Sequence, residues 1–227
     1  MIRAAIAGAG RMGQAIAGLI EARDGMEVAG VWRRGENLDA LLRNADVVVD
    51  FSLPDGTMQV LESVSRAAKP LVCGVSGLTD EQLARLDAAA ARVAIVYDRN
   101  MSLGVAVLDR AVRDAAAALG ADFEVAISEV HHVHKIDAPS GTALKLGETI
   151  AAARGEAGTG SIRFSSERRG EVPGDHEVVL RSATECLTFA HSVTTREVFA
   201  AGAVRAAAWV VGQAPGQYRM SDVLFGE

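Results

Sequence analysis

Cysteine is scarce, with only Cys73 and Cys186 in 227 residues. A disulfide framework is not what organises this chain, and two thiols suit a reducing, cytoplasmic compartment. Positive charge is not in excess either: the net charge is −6 and the isoelectric point about 5.4. That balance argues against nucleic acid or an anionic membrane as partner, so any anion site must be a local concentration of cations. No uncharged apolar run approaches roughly 18 residues, and the opening MIRAAIAGAG carries no long apolar leader segment. Repeats and low-complexity segments are missing as well, the alanine runs reading as helix filling. What remains is ordinary globular material, 49% hydrophobic and 23% charged, with enough chain for a core and two modest domains.

Against that background Glu129 to Ala143, EVHHVHKIDAPSGTA, stands out. Three of the five histidines, His131, His132 and His134, fall within four residues, directly before Lys135. Imidazole titrates near neutrality and lysine supplies a point charge, so the segment suits an anionic substrate that must also exchange a proton. Asp137, Pro139, Ser140, Gly141 and Thr142 read as the entry to a helix, ALKLGETIAAAR, that ends at Gly155. Asp or Ser can cap such a start, and Gly141 and Thr142 can offer backbone N–H groups to a carboxylate or phosphate. The same histidines with Glu129 have the ligand types of a metal site, and a solvated polar loop is the plainer alternative. Lys135 beside a cation and the want of a fourth soft ligand favour no metal. If a strand ran through the region, its period of two would put His132 and His134 on one face and His131 on the other.

The first residues carry a second signal. IRAAIA (2–7) reads as a buried strand that runs into Gly8-Ala9-Gly10-Arg11-Met12-Gly13, followed by the helical pattern QAIAGLIEAR and a second strand, MEVAGVW (26–32). Strand, tight glycine turn and helix N-terminus in that order form a dinucleotide-binding turn; a plain strand-to-helix turn is the alternative. An acid is expected about twenty residues past the glycines when the ribose hydroxyls of NAD are held. Arg33 and Arg34 stand there instead. They suit a 2′-phosphate, and NADPH is the expected cofactor, with NADH possible.

Further strands are expected at 46–51, 69–73 and 93–97, with helices near 56–68 and, after the capping-box pattern Thr79 to Gln82, over EQLARLDAAAAR. In an open parallel sheet the ligand crevice lies beyond the strand C-termini, where Gly74, Val75 and Ser76 and then Asp98, Arg99, Asn100 and Met101 fall. After a long helix from Ser102 to Leu119 the pattern changes. Residues 122–133 alternate, with Phe123, Val125 and Ile127 on one face, and short strands follow near 161–164, 176–181 and 186–193. A last helix, 196–211, returns to the first domain. The expected fold is α/β: an N-terminal Rossmann-type doubly wound parallel sheet (1–102 and 203–227) with a second α+β domain on a mixed sheet (103–202).

Several stretches together resemble one family. They are Gly8 to Gly13; Asp50-Phe51-Ser52 with Pro54 and Gly56-Thr57; Asn100 with Ser102 and Gly104-Val105; HHVHKIDAPSGTA; the spacing R-x-G-x-x-x-G-x-H from Arg168 to His176; and FAAGAVRAAAW (199–209). The likeness, which runs essentially end to end, is to the 4-hydroxy-tetrahydrodipicolinate reductases, formerly dihydrodipicolinate reductases, of lysine and diaminopimelate biosynthesis. It implies hydride transfer from NAD(P)H to ring C4 of a cyclic dicarboxylate. It further implies His131 as proton donor and acceptor, Lys135 as a second catalytic proton donor, and His132, Ser140, Gly141 and Thr142 as the dicarboxylate site. The nucleotide would be held by Gly8 to Gly13, Arg33 or Arg34, Gly74 to Ser76 and Asp98 to Met101. The family's homotetramers, joined through the sheets of the second domain, set the expectation for assembly.

Two departures from the family pattern bear on the cofactor. Many members have one more glycine in the first loop, and the acid often found after the second strand is replaced by Arg33. The chain is also short between its second and third strands. Readings from other classes are a semialdehyde dehydrogenase using Cys73 or Cys186 as nucleophile, and a non-catalytic NADPH sensor. A buried strand-end thiol is more often inert filling.

Overall fold

A computed structural model describes residues 1–226. The chain divides into two compact units: Met1–Leu103 together with the segment from Glu197 onward, and Gly104–Arg196.

In the first unit strands and helices alternate: β1 (Ile2–Ala7), α1 (Arg11–Glu21), β2 (Met26–Trp32), α2 (Leu38–Leu42), β3 (Val47–Asp50), α3 (Pro54–Ala67), β4 (Leu71–Cys73), α4 (Asp80–Ala90) and β5 (Ala94–Tyr97). The second unit contributes α5 (Leu103–Leu119), β6 (Glu124–His131), α6 (Gly141–Ala153), β7 (Ile162–Arg168), β8 (Asp175–Arg181) and β9 (Cys186–His191). The chain then returns with α7 (Glu197–Val210), β10 (Gly216–Tyr218) and α8 (Met220–Phe225).

The first sheet runs β10-β5-β4-β3-β1-β2 with every pair parallel. Its central strands are apolar on both faces, as a sheet covered by helices on each side requires: Ala4 to Ala7, Val47 to Val49 and Leu71 to Cys73 are all fully buried. Helix α1 seals one face with Ile16 and Ile20, each worth about 1.5–3 kcal/mol of burial. Helix α7 packs against α1 and against β3, β4 and β5. The expected capping box opens α4, Thr79 Oγ1 accepting from Gln82 N–H while the Gln82 side chain accepts from Thr79 N–H.

In the second unit a four-stranded sheet runs β7-β6-β8-β9, parallel between β6 and β7 and antiparallel elsewhere. One face of this mixed sheet meets α5 and α6 in a core that includes Val125, Ile127, Leu146, Ile150, Val178 and Leu180. The fold is therefore the expected Rossmann-type parallel sheet with a second, mixed α+β unit. Helix α3 opens at Pro54, ahead of the expected residue 56, because proline is suited to the first helical position. Strand β7 extends to Arg168, past the expected end at 164. Its polar residues 165–168 are carried by continuous pairing with β6, from Val125↔Ile162 to His131↔Arg168. Among the described residues no helix is long and apolar enough to cross a membrane.

Candidate active site

At the C-terminal edge of the parallel sheet, β1 ends in the glycine turn. Gly8 sits at φ +107°, a conformation that favours glycine, and a Cβ there would meet the Phe51 carbonyl oxygen at 2.7 Å. Arg11 opens α1, with the N–H groups of its first turn unpaid within the helix. A cavity of about 330 Å³ lies between Gly8-Ala9-Gly10, Arg33-Arg34 and Phe51-Ser52-Leu53, with Trp32 and Gly56 completing its wall. Arg33 and Arg34 are exposed, and Glu36 accepts the Arg33 backbone N–H at 2.9 Å.

The remaining expected nucleotide residues follow along the same edge. Arg11 is exposed and Met12 half-buried, while Gly13 lies against Gly8. Gly74 leaves β4 with its missing Cβ directed at the Phe51 ring, which would be 2.3 Å away; Val75 is buried and Ser76 exposed. Past β5, Asp98 is buried and accepts N–H groups of Asn100 and Met220, both at 3.4 Å. Asn100 Oδ1 accepts from Ser102 N–H at 2.9 Å, Met101 is buried, and Arg99 is exposed. Sequence reasoning singled out the Phe51-Ser52 stretch for its resemblance but did not place it at the nucleotide site. The signal was its position at the end of β3, where an open parallel sheet binds ligands. Cys73 is fully buried, and burial, with the Asp50 charge behind it, holds its thiol far above the ordinary range, so it is not a nucleophile. A groove of about 400 Å³ between α3 and α4 carries three arginines, but Arg66 is paired with Asp39 and Arg85 with Glu62.

The second unit builds its polar cluster by extending the alternation of β6. The face that carries Phe123, Val125 and Ile127 continues with Glu129 and His131, only 2% and 8% exposed. His131 Nδ1 bonds Glu129 Oε2. Arg168, at the end of β7, donates from Nη1 to both Glu129 oxygens at 3.0 Å, from Nε to the Lys135 carbonyl at 3.1 Å, and from Nη2 to the Asp137 carbonyl. Across the sheet His176 faces Glu129 in register, its ring edge-on to His131 with centroids 5.2 Å apart. Ser140 Oγ caps α6 by accepting from Ala143 N–H at 3.1 Å, which leaves its hydroxyl proton for His176 Nε2, also at 3.1 Å.

The strand stops at His131, and a turn closed by Lys135 N–H to the His132 carbonyl follows. The strand-period prediction for the later histidines therefore does not apply. His132 is half-buried with Nδ1 unpartnered, whereas His134 is exposed beside Glu171 at 3.4 Å. Lys135 Nζ grips both Asp137 oxygens at 2.7 Å, and Gly141 at the start of α6 adds a small favourable contribution to the charge on that carboxylate. The lysine thus already holds a carboxylate, four residues ahead of the helix start. Gly141 and Thr142 are both half-buried there.

Electrostatics follow from this packing. Burial opposes the charge on Glu129, but hydrogen bonds from Ser166, His131 and Arg168 outweigh it and keep the carboxyl below its usual range. Burial pushes His131 down, and the Glu129 hydrogen bond and charge push back without fully offsetting it. His132 is lowered by burial and then by Arg196. For Asp137, burial opposes charge, yet Lys135 holds the group below its ordinary value. His176 is driven to about 4, chiefly by burial and then by His131. Among the described residues no three His, Cys, Asp or Glu side chains converge as a metal site.

A parallel sheet with a glycine turn at its first crossing, and a second unit presenting a lysine, imidazoles and a carboxylate-bearing helix start, belong to the dinucleotide-dependent oxidoreductases. Residues 2–101 match the family model of the dihydrodipicolinate reductase N-terminus, and residues 104–224 that of its C-terminus. The chain belongs to the dihydrodipicolinate reductase family, whose members are NAD(P)H-dependent oxidoreductases. It is 44% identical to the 4-hydroxy-tetrahydrodipicolinate reductase of Caulobacter vibrioides, over 98% of this chain and 97% of that one. To the enzyme of the same name from Zymomonas mobilis it is 38% identical, over 96% and 95%. Its fold is that of a dipicolinate-bound dihydrodipicolinate reductase from Paenisporosarcina sp. TG-14, with a TM-score of 0.81 at 24% identity over 96% and 97% of the two chains. A C. glutamicum DAP dehydrogenase solved with DAP is more distant, with a TM-score of 0.58 at 13% identity over 97% and 93%.

Proposed function

We propose that this chain reduces 4-hydroxy-tetrahydrodipicolinate to tetrahydrodipicolinate, a step of lysine and diaminopimelate biosynthesis, with the segment His131 to Thr142 as its substrate site. The observation that carries the site is the Asp137 carboxylate, held by both its oxygens on Lys135 Nζ four residues before α6 begins at Gly141. A cation that grips an internal carboxylate close to a helix N-terminus suits a ring dicarboxylate.

The residues of the first unit fit a nucleotide. The turn Gly8-Ala9-Gly10-Arg11-Met12-Gly13 opens a helix, and a Cβ on Gly10 would meet nothing within 4 Å, so its backbone lies open to a pyrophosphate. Arg33 and Arg34 border the same cavity and would pair a 2′-phosphate, which favours NADPH over NADH. Gly74 to Ser76 and Asp98 to Met101 would complete the nucleotide site along the sheet edge. When bound, NADPH supplies the hydride that enters ring C4, the 4-hydroxyl leaving as water.

The chain's own groups do the rest. Lys135 places a positive charge where electron density collects on the ring nitrogen, and His131 exchanges the proton. His132, Ser140, Gly141 and Thr142 hold carboxylates, Ser140 by fixing the helix start and Gly141 and Thr142 by their N–H groups. The assembly we propose is a cytoplasmic homotetramer joined through the second unit's sheet. The test couples the purified protein to a synthase that makes the cyclic substrate from pyruvate and aspartate semialdehyde while NADPH oxidation is followed. Oxidation that starts only when the synthase is active supports the function; none at any protein concentration rejects it.

A further inference from the structure

A buried carboxylate and a half-buried guanidinium have no part in the chemistry above. Glu129 is 2% exposed, and Arg168 spreads its guanidinium over Glu129 and the carbonyls of Lys135, Asp137 and Glu167. A largely buried ion pair adds little net stability over apolar side chains of the same volume, so stability is a weak reason for this one. Its geometry supplies a better reason. Arg168 is permanently cationic and keeps the Glu129 carboxylate ionised, so that carboxylate can only accept a hydrogen bond. The one it accepts from His131 therefore places the ring proton on Nδ1 and leaves Nε2 as the nitrogen free to exchange a proton.

We propose that Glu129, clamped by Arg168, is a positioning residue that fixes the tautomer and orientation of His131, and that Arg168 couples it to the backbone of Lys135. The proposal rests on the reading of His131 as the proton-exchanging group. Four groups face this ring: Glu129 from its own strand, Arg168 from the end of β7, Lys135 from the following turn, and His176 from β8. Only Glu129 is negative. It is thus the one neighbour that makes the imidazole more basic, against burial and against the charges of Lys135 and Arg168. The contacts of Arg168 to the carbonyls of Lys135 and Asp137 hold the turn that carries the lysine.

The test follows the His131 imidazole by NMR in histidine-labelled protein, its signal assigned by its loss in His131→Asn, alongside steady-state kinetics. In the wild type we expect the neutral ring to carry its proton on Nδ1; a proton on Nε2 overturns the proposal without any variant. In Glu129→Gln the His131 titration should move to lower pH by about one unit or more. Should that variant fold poorly because Arg168 is left uncompensated, Glu129→Gln/Arg168→Met removes both charges and serves the same titration. An unmoved titration in a folded variant overturns the proposal. In kinetics, Glu129→Gln should cost on the order of 10- to 100-fold in kcat. The same change made in His131→Asn should cost less than about twofold, because the group it acts through is gone. Losses that multiply across the two sites would mark Glu129 as merely structural. His131→Asn at wild-type turnover would defeat the underlying proton-exchange reading, while the titration still decides whether Glu129 holds the ring.

Discussion

A Cβ placed on Gly13 would sit 1.8 Å from the carbonyl oxygen of Gly8, whereas one placed on Gly10 would meet no atom within 4 Å. The two glycines of one turn therefore answer to different demands: Gly13 lets α1 pack onto β1, and Gly10 leaves space for a ligand. Gly13→Ala should lower the melting temperature by about 5–10 °C, the cost of overpacking in a chain of this size. Gly10→Ala should leave melting within about 2 °C of wild type yet weaken NADPH binding by about tenfold or more, since a methyl would stand where the pyrophosphate approaches. Thermal unfolding and a fluorescence titration with NADPH check the pair. Wild-type affinity in Gly10→Ala would remove the turn from the nucleotide site.

Arg33 and Arg34 carry the expected cofactor preference. Replacing both with alanine deletes the partners of a 2′-phosphate and nothing that NADH uses. We expect kcat/KM for NADPH to fall about 10- to 100-fold, one or two charge-assisted hydrogen bonds, with the value for NADH changed less than about threefold. Equal losses with both cofactors, or a wild-type enzyme that prefers NADH, would contradict the assignment.

Lys135 and Thr142 are expected to fail in different ways. If Lys135 supplies about 3 kcal/mol of transition-state stabilisation, Lys135→Ala slows kcat on the order of 100-fold. Turnover within threefold of wild type would reject that role. Thr142→Val should instead raise KM with kcat nearly unchanged, because a carboxylate contact is shared by ground and transition states.

His176 makes a prediction about acid stability. Its folded pKa is about 4 against an ordinary value of 6.5, so between those limits the unfolded chain binds a proton that the folded chain refuses. Stability contributed by this group is full above pH 6.5 and declines as pH falls towards 4, by up to about 3 kcal/mol. His176→Gln keeps an acceptor for Ser140 and cannot titrate, so its urea unfolding free energy should decline less over that window. An identical decline in both proteins would show that His176 does not govern it.

Much of this was legible in the chain itself. The glycine turn, the five strands that follow one another through Tyr97 and the capping box at Thr79 are local patterns, and local patterns survive tertiary context. The alternation of Phe123, Val125 and Ile127 also pointed past itself: two and four residues on, Glu129 and His131 keep to the same buried face. The carboxylate–imidazole pair was thus present in the periodicity, although a charged residue on a core face does not announce its partner. Arg168 was not legible as that partner, because SSER at the end of β7 has the composition of surface and is held in a strand only by pairing with β6. Short elements were missed for related reasons, α2, β10 and α8 among them. Helix α2 is five residues capped by Asn37, and β10 is three residues, Gly216 to Tyr218, set by pairing with β5 and by the Tyr218 ring against Trp209 at 5.1 Å.

The most direct measurement follows the hydride itself. NADPH deuterated at the transferring position is given to the enzyme with the freshly made cyclic substrate, and the product is read by mass spectrometry and NMR. We expect one deuterium, at ring C4, with its appearance slowed on the order of 100-fold in Lys135→Ala. Oxidised cofactor without deuterium in the ring, or label appearing as fast in Lys135→Ala as in wild type, would contradict reduction at this site.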